Sequence, residues 1–285
     1  MHVQLRRGNP DDASACGRIC HEAFAAISSA HSFPCDFPTR DAAVATVSMM
    51  LSHPGFYSVV AEVDGEVVGS NFLDERSAVA GVGPITVAPA VQDSSLGRQL
   101  MAAVMDRAAE RRALGVRLVQ AAYHNRSLSL YAKLGFAVRE PLACMQGPPP
   151  RRSVEGYSVR SGTAADAADC NRICTAVHGH DRSGEVADAI SAGGLLVVEH
   201  DGRITGYSIG LGFFTHSVGE TTDDIAALIG AAAELGGPGI LVPLRNQRLF
   251  TFCLGEGLRV VQVMTLMSTG PYSEPAGGWL PSILY

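Results

Sequence analysis

Hydrophobic and polar positions alternate along this chain in two rhythms, and they meet around residue 90. From Leu96, apolar residues return at Leu100, Ala103, Val104 and Ala108, while Arg98, Asp106, Arg107, Glu110 and Arg111 fall between them; that is the period of an amphipathic helix. Just before it, Ile85-Thr86-Val87-Ala88 reads as a short strand, preceded by Gly81, Gly83 and Pro84 and ended by Pro89, which has no N–H for a ladder. Between strand and helix lies a run of small residues, Asp93-Ser94-Ser95, after Gln92 and ahead of Leu96, Gly97 and Arg98. Such a loop lets backbone N–H groups crowd together, and the helix start behind it adds about half a positive charge, which suits a pyrophosphate.

The same reading carries through the first half. Residues 3–6 read as an edge strand. A helix after Asp11 and Asp12 carries Ala15, Ile19, Phe24 and Ala25 inward, and a second covers 39–51. The loop between them holds His31, Phe33, Asp36 and Phe37 beside two prolines. Strands over 57–62 and 66–75 are joined by Asp64-Gly65, a strong two-residue hairpin signal. After Gly115 comes a buried strand over 116–123. A short helix follows, capped by Asn125 or Ser127 and stopped at Gly135. A strand over 136–143 closes this unit, and Gly147-Pro148-Pro149-Pro150-Arg151-Arg152 reads as a stiff, exposed linker. The spacing therefore predicts a first domain at 1–147, a linker at 148–156 and a second domain at 157–285.

Two segments carry a resemblance. Strand, V-x-P-x-x-Q, small-residue loop, Gly-Arg and helix resemble the acetyl-coenzyme A loop of the GNAT superfamily of N-acetyltransferases, whose signature is Q/R-x-x-G-x-G/A. Gln92 and Gly97 match, and Ser95 stands where the first glycine is usual. Downstream, Ser127, Tyr131, Gly135 and Phe136 match the family's N-x-x-[AS]-x-x-x-Y-x-x-x-G-F, with His124 at the asparagine position and Asn125 one place late. The resemblance implies an α/β fold of mixed, mostly antiparallel sheet flanked by helices. It also implies acetyl-CoA, or another acyl-CoA, as co-substrate for acetyl transfer to a primary amine. The cofactor residues would be Ile85, Thr86, Val87, Gln92, Asp93, Ser94, Ser95, Leu96, Gly97, Arg98, His124, Asn125, Ser127 and Tyr131, with Tyr131 also giving a proton to the departing thiolate. The loop between the first two helices shapes the acceptor pocket in that family, so His31, Phe33 and Phe37, with Asn71, are the candidate substrate residues.

The second half repeats the first. Residues 157–160, Cys170 and Cys174 echo residues 3–6, Cys16 and Cys20 at a constant offset, Asp201-Gly202 repeats the hairpin turn, and 245–258 parallels the segment from Asn125 to Phe136. Where the second copy should have its cradle it carries Glu220, Asp223 and Asp224, three carboxylates that would repel a pyrophosphate, and Phe252 and Cys253 stand where Tyr131 would be. This predicts tandem copies of one fold, the second degenerate and walling the acceptor site. The apolar stretch 279–285 should pack on something.

Composition narrows the partners. With 285 residues, 47% hydrophobic and 18% charged, the chain suits two packed domains. A net charge of −6 and the absence of a basic run argue against nucleic acid, and no apolar run reaches the ~18 residues of a membrane span. We expect a cytoplasmic monomer or homodimer acting on a small-molecule or peptide amine, without a metal. The seven cysteines form no Cys-x-x-Cys pair and read as reduced core residues; His178 and His180 read as loop or surface residues. The general base is open between Asp74, Glu75 and Asp36. An acyl-CoA-binding sensor that keeps this fold without turnover is the alternative.

Overall fold

The computed structural model describes residues 3–92 and 95–285. In the first half, β1 (Val3–Arg7) is an edge strand paired with β2 (Phe56–Val63), and β2 turns into β3 (Glu66–Asp74) through Asp64 and Gly65. Both turn residues have positive φ, 51° and 86°, the conformation that matches the twist of a tight hairpin. Helices α1 (Ala13–Ala30) and α2 (Arg40–Ser52) cover one face, the second capped by the Thr39 hydroxyl. Then come β4 (Val79–Val82), β5 (Thr86–Val87), α3 (Leu96–Glu110), β6 (Gly115–Ala121), α4 (Asn125–Lys133) and β7 (Ala137–Gln146). The apolar stripe read from the sequence is the buried face of α3: Leu96, Leu100, Met101, Val104 and Ala108 pack on Val59, Leu73 and Leu118. Each large side chain so buried contributes about 1.5–3 kcal/mol.

The second half runs in the same order: β8 (Tyr157–Ser161), α5 (Ala167–His178), α6 (Ser183–Ser191), β9 (Leu196–His200), β10 (Arg203–Ser208), β11 (Ser217–Gly219), α7 (Thr222–Ala231), β12 (Ile240–Pro243), α8 (Gln247–Gly255), β13 (Arg259–Thr269) and β14 (Gly278–Leu280). Its hairpin turn, Asp201-Gly202, repeats the positive φ values at 51° and 75°.

The sheets do not respect the halves. One sheet has the order β1-β2-β3-β4-β6-β13-β7-β12, with β5 attached to β3; the other is β14-β11-β10-β9-β8. Strand β13 lies between β6 and β7, pairing Leu266 with Val119 on one side and Val263 with Ala143 on the other. The expectation that the strand after Phe136 closes the first unit by itself is corrected: β13 of the second half lies beside β6, and β7 sits one place further out. Hydrogen bonding explains the exchange, because a sheet ended at β6 would leave an unpaired edge that β13 now satisfies on both its sides. The halves share a core as well, with Met145 of β7 packed among Ile225, Leu228 and Ile229 of α7. Ion pairs and hydrogen bonds cross between them: Arg76 to Asp188 at 2.9 Å and Ser77 to Glu185 at 3.1 Å.

The 279–285 stretch packs as expected, with Trp279, Leu280, Leu284 and Tyr285 buried. It also corrects the reading of two histidines. His178 and His180 are 3% and 8% exposed, because Tyr285 comes down on them and places its hydroxyl 3.1 Å from His178 Nδ1. All seven cysteines are free thiols, six of them buried. Among the described residues no helix is long and apolar enough to cross a membrane, and no three His, Cys, Asp or Glu side chains are grouped to hold a metal.

Candidate active site

The site begins where the sheet splits. Strands β4 and β6 run parallel only as far as Gly81 opposite Arg117. Beyond that point β5 turns away to pair with β3, Gly69 opposite Val87, while β6 continues against β13. A cavity of about 760 Å³ opens between them, walled by residues 82–87 on one side and 118–121 on the other. Glycine at 81 is what lets the 279–285 stretch reach the split: a Cβ there would stand 2.3 Å from Leu284 O. Leu284 and Ile283 consequently line the cavity.

One end of the cavity is the start of α3. Ser95 has φ 65° and ψ 0°, the left-handed conformation, which explains in steric language why glycine is usual at this place. Such a residue costs about 1–2 kcal/mol when it carries a Cβ. The Ser95 side chain does not cap the helix, and the first turn has no acidic residue. The Gln99 N–H is bonded to Ser95 O at 3.1 Å, so the N–H groups of Leu96, Gly97 and Arg98 precede that bond and have no partner in the helix ladder. Ser95, Leu96, Gly97 and Arg98 all border the cavity, as do Ile85, Thr86, Val87 and Gln92, whose side-chain amide donates to Val87 O at 3.1 Å. Asp93 and Ser94, also expected in this loop, lie outside the described residues.

Helix α4 supplies the facing wall. Its cap is His124, whose Nδ1 accepts from Ser127 N–H at 3.1 Å; neither Asn125 nor Ser127 caps it. His124, Ser127 and Tyr131 border the cavity, whereas Asn125 is exposed and does not, which corrects its place among the cofactor residues. The second half explains the shift. Asn246 has the same backbone (φ −81°, ψ 72° against −84°, 72° at His124) and the same cap, accepting from Leu249 N–H at 3.1 Å. His124 thus stands where the repeat keeps asparagine. Tyr131 is buried, and burial pushes its phenol up to about 12 against the opposing hydrogen bond of Ser127. It is a proton donor throughout the neutral range.

The other end is apolar, with one carboxylate. Ala23, Phe24 and Ile27 of α1, Phe37 of the following loop, and Phe213 and Phe214 of the second half close around it, and Asp36 borders the same space. Asp36 is 8% exposed and accepts from Gln262 Nε2 at 2.7 Å; burial pushes its carboxyl up to about 6, which the Gln262 bond only partly opposes. The remaining carboxylate candidates go elsewhere. Asp74 is held by Arg76 at 2.5 Å and Glu75 by Arg107 at 2.6 Å, and neither borders the cavity. Both were placed by their closeness in sequence to the strand that starts the split, but each side chain turns to an arginine instead. Asn71 is likewise corrected: it is fully buried and spends its amide on Leu100 O at 3.3 Å. Phe37 lines the cavity. Phe33 and His31 do not, but stack on Tyr123, which does, with ring centroids 4.4 and 5.1 Å apart. Sequence reasoning missed Gln120, Phe214 and Leu284. Gln120 alone had a visible signal, an amide side chain inside an otherwise apolar strand.

Residues 22–136 match the family described as Acetyltransferase (GNAT) family. Over nearly the whole chain the fold is that of a tandem GNAT protein from the clavulanic acid biosynthesis pathway: 15% identity, 95% of this chain and 100% of that one, TM-score 0.58. Residues 22–136 thus match a GNAT acetyltransferase domain, and the whole chain has a tandem GNAT-like fold. Two further solved structures share the GNAT fold seen here. A candidate acetyltransferase from Pyrococcus horikoshii covers 96% of this chain and 91% of its own at 18% identity and TM-score 0.73. A GCN5-related N-acetyltransferase from Sphaerobacter thermophilus covers 96% and 98% at 17% identity and TM-score 0.61. No curated protein sequence matches the chain.

Between the two halves the helix starts differ in a way that sequence charge only hinted at. At α7 the Thr221 hydroxyl accepts from Asp224 N–H, and the Asp224 carboxylate accepts from Thr221 N–H at 2.8 Å, closing a capping box. Asp224 is fully buried and also holds the Thr205 hydroxyl. At the start of α7 a helix donor outside the ladder is thus satisfied by the chain's own carboxylate.

Proposed function

We propose that this GNAT protein transfers an acetyl group from acetyl-CoA to a primary amine at the first-half cavity. The observation that carries the reading is the meeting, around one cavity, of an uncapped helix start, a buried phenol and a single raised carboxyl. The residues fit the co-substrate: the N–H groups of 96–98, which have no partner in the helix ladder, are backed by the α3 dipole and suit a pyrophosphate, and the split between β5 and β6 leaves backbone of residues 82–87 for the pantetheine arm. Acetyl-CoA would supply the activated thioester. Asp36, ionised above pH 6, takes a proton from the acceptor ammonium so that the neutral amine can attack. The amine nitrogen bonds to the carbonyl carbon, the carbon–sulfur bond breaks, Tyr131 gives the sulfur its proton, and the proton that the new amide nitrogen loses restores the phenol. Asp36 therefore replaces Asp74 and Glu75 as the proposed base. Substrate residues on this reading are Phe37 and Asp36, with His31 and Phe33 acting through Tyr123.

The test separates binding from turnover. Calorimetry should give one acetyl-CoA per chain, and amine addition should then release free thiol. Two sites per chain would remove the argument from the sealed start of α7. Tight binding with no thiol released by any amine would favour the sensor.

A further inference from the structure

The acceptor end of the cavity has a polar feature that proton transfer does not use. Gln120, on β6, is 6% exposed and borders the cavity, yet neither its amide nitrogen nor its oxygen has a hydrogen-bond partner. A buried, unsatisfied amide destabilises the fold, so it is retained where a ligand satisfies it. The cavity it borders is otherwise lined largely by apolar side chains, Phe24, Ile27, Phe37, Phe214 and Leu284 among them. The charges that border the cavity are divided. Asp36 is the one carboxylate among the described lining residues. The arginines, Arg98 and Arg126, come from the starts of α3 and α4, on the coenzyme side. The acceptor end thus has no cation for a substrate carboxylate and no second anion for a second ammonium. Phe213, Phe214, Ile283 and Leu284 wall it from the second half, which favours a small molecule over the surface of a folded protein.

We propose that the acceptor is a small monoamine with an apolar, aromatic or branched body and a neutral carbonyl or amide beside the amine, and that Gln120 binds that neutral group. The inference rests on the acetyl-transfer reading. Asp36 takes the ammonium, the phenylalanine wall takes the body, and the Gln120 amide donates to the carbonyl or accepts from the amide N–H. A site holding a buried amide for this purpose rejects analogues that leave it unpaired.

The experiment uses the full chain with acetyl-CoA and four amines: phenylalaninamide, phenethylamine, phenylalanine and spermidine, scored by thiol release as kcat/KM. Phenylalaninamide should exceed phenethylamine about ten-fold or more, and phenylalanine and spermidine should fall at least ten-fold below it. A preference for phenylalanine or spermidine overturns this proposal while leaving amine acetylation standing. Release with none of the four and with no other primary amine, under bound acetyl-CoA, overturns the transfer reading and this proposal together. In Gln120→Met the ratio of phenylalaninamide to phenethylamine should fall toward one; an unchanged ratio refutes the role of Gln120. Retained acetyl-CoA binding certifies that the variant is folded, and if it is not, the four-amine ranking of the unaltered chain decides.

Discussion

Replacing Asp36 by asparagine should make this protein more stable and nearly inactive, and both effects follow from one buried carboxyl. Burial moves Asp36 from 3.8 to about 6. At 1.36 kcal/mol per pH unit, the ionised group in the folded chain costs about 3 kcal/mol relative to the unfolded chain at pH 8. The sign is the reverse of an ion-paired aspartate. Below pH 3.8 both states are protonated and the penalty vanishes; as pH rises through 6 the folded state must ionise Asp36 in its buried setting, and the penalty is complete. Asparagine has the same shape, carries no charge and still accepts from Gln262. Asp36→Asn should therefore gain up to about 3 kcal/mol in denaturant unfolding at pH 8, with the gain fading to near zero at pH 4.

Activity should move the other way. In the unaltered protein kcat/KM should fall below pH 6, reaching about a tenth of its plateau near pH 5, because a protonated Asp36 cannot take the ammonium proton. Tyr123 and Tyr131 are pushed up to about 12 and stay protonated across this range, and burial lowers His124, so its titration lies on the acid side of its ordinary value. Asp36→Asn should lose about 10²–10⁴ in kcat/KM at pH 8 and lose the limb near pH 6. Equal destabilisation at pH 8 and pH 4, or activity within three-fold of the unaltered chain, would refute the reasoning.

Other perturbations separate neighbouring roles. Tyr131→Phe should lower kcat about 100-fold with little change in acetyl-CoA affinity, read by thiol release and calorimetry; a change in affinity alone would reassign Tyr131 to holding the coenzyme. Ser95→Val should cost about 1–2 kcal/mol of stability and weaken acetyl-CoA binding, since a β-branched residue at φ 65° is strained, whereas Ser95→Gly should weaken neither. Glu75→Gln should keep kcat/KM within about three-fold, because its partner is Arg107 and not the substrate. A loss comparable to that of Asp36→Asn would restore Glu75 as the base.

Local chemistry was legible in this sequence to the extent that neighbours along the chain decide it. The Asp-Gly turns, the α3 stripe and the stop at Gly135 all follow from backbone rules acting over a few residues, and the structure has them at the expected places. Exposure of the two histidines and the reach of Glu75 escape local rules for a common reason: each depends on a partner distant in sequence, whereas Asp74 is taken by its near neighbour Arg76. His178 is buried by Tyr285 and Glu75 is claimed by Arg107. Gln262 fixes Asp36 across 226 residues, and no periodicity within either half contains that contact. The swap of β13 into the first sheet was invisible likewise, because the alternation of a strand shows which face is buried but not which edge receives it.

The swap in turn connects the two departures of the second half. Once β13 lies between β6 and β7, Gln262 arrives beside Asp36, and the same half brings Phe214 and Leu284 to the cavity wall. The second unit then serves the first cavity through its strands and its 279–285 stretch, contributions that need no helix start of its own. An open α7 start would leave donors unsatisfied without a ligand to match them, and Asp224 with Thr221 supplies that match internally. Sealing one cradle and walling the other are in this sense a single architectural outcome. A variant that unseals α7, Asp224→Ala, should lose about 1–2 kcal/mol of stability in denaturant unfolding, because the Thr221 N–H and the Thr205 hydroxyl lose their shared acceptor together.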